Sequence, residues 1–152
     1  ESESTVMHLL QHNAQANASR LASAVEVLEL DWACPLEPNR WALAPSAEAP
    51  IPCSPRPADV VVATEVLYEV QGARLLAGLL PVWLARPGGA LYLLNNSQRA
   101  GVAEFEAACK RGGLHCERIP IDLTMDAVWA FGHNAEAQND YVHFKVTWSQ
   151  AA

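Results

Sequence analysis

The sequence predicts an α/β fold: a sheet of parallel strands closed by one antiparallel strand. Three observations carry this. Asp59-Val-Val-Val-Ala63 and residues 90–94 are short, continuous apolar runs, the pattern of strands buried on both faces. Segments with leucines at helical spacing separate the runs. In the tail, Val142, Phe144, Val146 and Trp148 alternate with Tyr141, His143, Lys145 and Thr147, so period two with one polar face marks an antiparallel strand or one near an edge.

In chain order, residues 4–17 read as a helix, with Val6, Leu9, Leu10 and Asn13 on one face and Ser2 or Ser4 as its cap. Residues 25–30 form a short strand ending at Asp31-Trp32. Residues 33–57 carry seven of the ten prolines, which fix φ and lack an N–H, so the segment reads as a long surface loop. The strand at 59–63 follows. Residues 71–84 are a helix with Leu75, Leu76, Leu79, Leu80 and Trp83 in phase, stopped by Arg86-Pro87-Gly88-Gly89. After the strand at 90–94, Val102, Phe105 and Cys109 mark a third helix ending at Gly112-Gly113, and residues 114–121 are strand-like. A strand-helix-strand-helix-strand order is that of an α/β sheet, here with no internal repeat and no second domain.

Composition narrows the function. Hydrophobic residues make up 51% of 152, which excludes a disordered chain and is enough for one real core. No apolar run is long enough to cross a bilayer, and no signal segment opens the chain, so a cytoplasmic protein without a membrane partner is expected. The net charge of −7 repels phosphate backbones, and the arginines are scattered apart from a small group at Lys110, Arg111 and Arg118, so a nucleic-acid partner is not expected. Cys34, Cys53, Cys109 and Cys116 have no metal-ligand spacing and read as reduced thiols. His8 and His12 are one helical turn apart, but no third ligand accompanies them, so no metal is expected.

In open α/β sheets ligands bind beyond the carboxyl ends of the strands. Here three such ends carry chemistry: Asp31 and Trp32; Thr64, Glu65 and Tyr68; and Asn95, Asn96 and Ser97. If these strands share one sheet, the groups converge on one crevice. Trp32 offers a flat face for a purine or packs under the proline-rich loop; Asp31 can accept from an amine. A carboxylate at Glu65 can hold a cationic amine and the Tyr68 ring can stack on it, or both are ordinary surface groups.

The pieces together resemble the later part of a seven-strand S-adenosylmethionine-dependent methyltransferase, specifically the protein-lysine methyltransferase branch with a [D/E]xx[Y/F] motif. The matching stretches are His12-Asn13-Ala-Gln-Ala-Asn17, Val27-Leu-Glu-Leu-Asp31-Trp32, Ala58-Asp-Val-Val-Val-Ala-Thr-Glu-Val-Leu-Tyr68, Leu84-Ala-Arg-Pro-Gly-Gly89 and the segment from Phe105 to Gly113. The resemblance implies a Rossmann-like sheet in the strand order 3-2-1-4-5-7-6. It implies that Trp32 and Asp31 lie on the adenine side of S-adenosylmethionine and that Thr64 lines the cofactor pocket. Glu65 and Tyr68 would shape the pocket for the lysine of a protein substrate, or for another amine. Glu65 stands where most relatives have Asp. The reaction implied is in-line displacement of a methyl group from sulfonium to a neutral amine nitrogen, in which positioning matters more than base catalysis.

The family's first two strands and its glycine-rich cofactor loop have no counterpart between Glu1 and Ala152. The chain therefore reads as a fragment or shortened homologue, 1–152 being a partial domain that is expected to be inactive by itself. Without those strands, residues 59–63 would expose an apolar edge. A preceding segment or partner subunit is then expected to be needed for stability. Two other readings stay open: a non-catalytic, methyltransferase-like binding module, and another α/β ligand-binding domain, for a nucleotide.

Overall fold

A computed structural model describes residues 3–20, 22–41, 51–120 and 141–149, in two compact units that divide between Arg56 and Pro57. The first unit opens with α1 (Glu3–Asn17) and a 3-10 turn (Ala18–Arg20). Met7, Gln11 and Ala14 form its covered face, with Met7 packed on Val27. Val6, Leu9 and Leu10, the face expected to be buried, are exposed. Helical periodicity allows either stripe, and packing selected the one that includes Met7. The caps expected at Ser2 or Ser4 lie outside the described side chains.

The strand expected at 25–30 is β1 (Val27–Glu29). It pairs antiparallel with β2 (Asn39–Trp41), which pairs antiparallel with β3 (Ile51–Pro52). Two expectations are corrected here. The proline-rich segment does supply sheet, because proline is tolerated on an outer strand that need not donate, and β3 is outermost. And β1 belongs to this small sheet rather than to the one formed by the later strands. Residues 42–50 of the proline-rich segment lie outside the described residues.

The second unit is a mixed four-stranded sheet with two helices. Its elements are β4 (Val60–Thr64), α2 (Val70–Trp83), β5 (Ala90–Asn96), α3 (Gly101–Arg111), β6 (Leu114–Ile119) and β7 (Tyr141–Trp148). The sheet order is β4-β5-β7-β6, with β4 and β5 parallel and β7 antiparallel to both its neighbours. The unit is thus α/β, with β4, β5 and β6 running in one direction and the antiparallel β7 inserted between β5 and β6. The tail strand lies inside the sheet, not at its edge.

Register explains the core. Leu91 and Leu93 of β5 stand opposite Val146 and Phe144 of β7, and all four are fully buried on one face. Phe105 of α3 meets Phe144 there at 5.8 Å between ring centroids. Leu76 and Leu80 of α2 are buried alongside. The opposite face carries Tyr92, Leu94, His143 and Lys145, all half-exposed, with Tyr92 and His143 rings 6.3 Å apart.

The run at 59–63 is not buried on both faces, as its apolar pattern suggested, but forms the exposed apolar edge expected in the absence of the first two strands. Val60 is 59% and Val62 71% exposed. The Asp59 carbonyl accepts the Ala90 N–H and the Glu65 N–H donates to the Leu94 carbonyl. By the alternation of a parallel ladder, the backbone groups of Val60, Val62 and Thr64 therefore face outward. Among the described residues no strand pairs with them. No helix among the described residues is long and apolar enough to cross a membrane.

Candidate functional site

Parallel pairing of β4 and β5 sets their carboxyl ends side by side, which brings Thr64 and Glu65 next to Asn95 and Asn96. As β4 ends, Glu65 takes the left-handed conformation, with φ of 51°. For a residue with a Cβ this is uncommon and is retained only where surrounding contacts fix it. Those contacts are present. The Glu65 N–H donates to the Leu94 carbonyl at 2.9 Å, and its Oε1 accepts the Asn96 N–H at 2.8 Å. The carboxylate is thereby turned back over the end of β5, with Oε2 left outward.

Asn95 holds the loop that follows. Its side chain is fully buried; Oδ1 accepts the Leu67 N–H at 2.9 Å and Nδ2 donates to the Asn96 carbonyl at 3.0 Å. Leu67 is itself fully buried, so the segment from Glu65 to Tyr68 is anchored at its first and third residues. Tyr68, the fourth, is 57% exposed. The start of α3 closes on this loop. A Cβ on Gly101 would lie 2.7 Å from the Glu69 carbonyl oxygen and 2.8 Å from that of Leu67, so only glycine permits the approach.

One functional side chain was not singled out from the sequence. Arg99 lies in the turn between β5 and α3, with its Nε 3.9 Å from Glu65 Oε2 and its guanidinium carbon 4.7 Å from the centre of the Tyr68 ring. The only sequence signal was Asn96, whose Oδ1 accepts the Gln98 N–H and so starts a turn two residues on.

Asp31 and Trp32 follow β1, which pairs within the first unit and is not a strand of this sheet. Asp31 Oδ1 accepts the Ala33 N–H at 2.8 Å, a local turn, and Trp32 is half-buried. Asp31 borders a cleft of about 630 Å³ in the first unit, lined also by Val6, Met7, Glu29 and Leu30. Trp32 is not among its walls.

Asp31 has spent one carboxylate oxygen on its own turn, and Thr64 offers a hydroxyl on the outer edge of β4. The Gly88-Gly89 pair lies before β5 and serves the turn: Gly88 has φ of 102°, and a Cβ on Gly89 would lie 2.6 Å from the Ala85 nitrogen.

Arg111 pairs with Glu104, and Arg118 makes two hydrogen bonds to Glu106, so two members of the small basic group are already engaged by carboxylates. All four cysteines are free thiols. Among the described residues no cluster of three or more His, Cys, Asp or Glu side chains could hold a metal ion. No protein-family model, curated protein or solved structure matches the chain.

Proposed function

We propose that the chain is part of an S-adenosylmethionine-dependent methyltransferase and that it contributes the end that receives the amine of a protein lysine or similar substrate. The observation that carries this reading is the pairing of Glu65 and Tyr68 at the carboxyl end of β4. The Glu65 carboxylate is fixed through Oε1, and the single side chain of Arg99 reaches both its Oε2 and the exposed Tyr68 ring, so one cation can span the two. Those two groups suit an alkylammonium, by charge on one side and by the ring's negative face on the other. The sheet order β4-β5-β7-β6 is also the order implied for this end of the resembled fold. The chain's own residues bind and orient the amine; the methyl donor's site needs groups beyond those described, so no step through it is derived.

The open edge of β4 favours a second reading, in which a methyltransferase-like sheet is kept for association and has no activity. Calorimetry with S-adenosylmethionine on a longer protein that contains this chain together with the first two strands and the glycine-rich loop, followed by mass spectrometry for methylated lysine in an added protein extract, separates the two. Cofactor binding, with methylation that falls in Glu65→Ala and in Tyr68→Ala, is the expected result. A folded protein that takes up no cofactor and methylates nothing overturns the first reading and leaves the second.

A further inference from the structure

We propose that Arg99 is an internal occupant of the cation site formed by Glu65 and Tyr68, and that an amine ligand enters by displacing it. The inference rests on the reading of Glu65 and Tyr68 as an amine site and adds a built-in competitor to it. Arg99 Nε approaches Glu65 Oε2 at 3.9 Å, and its guanidinium carbon stands 4.7 Å from the Tyr68 ring centre. These are the two contacts a substrate ammonium would make. The carboxylate oxygen that Arg99 approaches is the outward one, since Oε1 is held by the Asn96 N–H.

The geometry also makes the occupant easy to dislodge. At 3.9 Å the pair is ionic without being a hydrogen bond, and the Arg99 side chain is 47% exposed. The backbone of Arg99 stays fixed when its side chain leaves. Its N–H donates to the Asn96 carbonyl at 3.3 Å and its own carbonyl accepts the Val102 N–H at 3.1 Å. So the side chain can swing to water without unravelling the turn or α3. A site filled part of the time by its own cation binds an outside cation more weakly, in proportion to the fraction left vacant.

The same geometry sets what the ligand must be. It carries a localised positive charge on a slim alkyl stem, because the carboxylate and the ring are both reached from solvent along the path Arg99 now takes. A lysine side chain meets this description, and a neutral or anionic ligand does not.

The test is a titration of n-butylammonium, the lysine side-chain analogue, into the whole chain, followed by the amide resonance of Asn96 and the ring resonances of Tyr68. Wild type is compared with Arg99→Ala, Arg99→Gln and the double variant Arg99→Ala/Glu65→Gln, with n-butanol as the uncharged control. Both single variants should bind the ammonium up to about ten-fold more tightly than wild type, the scale expected for losing one exposed ion pair and one cation–π contact. The double variant should lose that binding, and n-butanol should bind none of them. Binding that depends on Glu65 but is unchanged or weaker without Arg99 overturns this proposal and leaves the amine site standing. Absence of binding to every form overturns both. Should Arg99→Ala alone disturb the amide spectrum away from the site, Arg99→Gln, which keeps most of the stem, decides the comparison.

Discussion

Asn95 is the residue on which the candidate site's shape depends. It is fully buried, and its amide answers two backbone groups, the Leu67 N–H and the Asn96 carbonyl. Asn95→Leu keeps the branched skeleton, though with bulkier methyl ends, and strands both groups, at a cost of about 1–3 kcal/mol for a buried unmet partner. A lowered urea midpoint with an unchanged slope is expected, along with faster hydrogen exchange at the Leu67 amide. Exchange at Leu67 as slow as in wild type would show that the loop is held by something else. A second residue-scale feature lies between α3 and β6. Cys109 is fully buried and hydrogen-bonded to Cys116, and that bond, with burial, pushes the Cys109 thiol far up. The same bond holds the Cys116 thiol below its ordinary range. Cys116 should thus be alkylated by iodoacetamide at lower pH than an ordinary thiol. In Cys109→Ala, which removes the donor, the pH midpoint of that reaction should move up. An unmoved midpoint would refute the account.

Among the elements, β4 and the α2–α3 pair make separate demands. Val60, Val62 and Thr64 present outward-facing backbone groups, and two of them are exposed valines. An edge of this kind is a template for pairing with another chain. Val62→Lys places a charge on the exposed face without touching the β5 ladder. It should raise the concentration at which light scattering appears, with little change in stability; equal scattering in both proteins would acquit the edge. The helices are tied by Glu104 of α3, which accepts from Arg74 of α2 at 2.9 Å and also from Arg111. The Arg74 hydrogen bond first, and then that from Arg111, hold the Glu104 carboxyl below the usual carboxylate range. A carboxyl depressed by folding contributes stability above its unfolded pKa, near 4.3, and loses it as pH falls through the lower folded value. Glu104→Gln should therefore be less stable than wild type at neutral pH and converge with it in acid. Parallel acid-unfolding curves would contradict this.

At the scale of the whole molecule, the described residues give the two units unequal cores. The first rests on Met7 and Val27 with Ala14 against them, while the second buries Leu67, Leu76, Leu80, Leu91, Leu93, Phe105, Phe144 and Val146. Burial of apolar area is the main term holding a fold together, so the first unit should open at lower denaturant. Trp32 reports on the first unit and Trp83 on the second. In variants retaining one or the other as the only tryptophan, the Trp32 signal should change first in a urea titration. Coincident curves would mean that the chain unfolds as one body.

Local pattern in the sequence was sufficient to place α1, α2, α3, β5, β6 and β7 within a few residues, because side-chain period and glycine or proline stops act over a single turn or strand. It also singled out Glu65 and Tyr68, since a carboxylate and an aromatic ring three apart after an apolar run are visible without a fold. It did not reveal Arg99, which is 34 residues from Glu65 in the chain (99 − 65) and reaches it only because β4 and β5 lie parallel with their ends level. Nor did it decide which stripe of α1 is covered or that β1 pairs within the first unit, and the exposed edge at Val60–Thr64 followed from the strands missing relative to the resembled fold, not from the apolar run itself. Apolarity says that a surface prefers to leave water but does not name its partner. Val-Val-Val reads alike in the middle of a sheet and at its rim, and only the pairing of distant segments distinguishes the two.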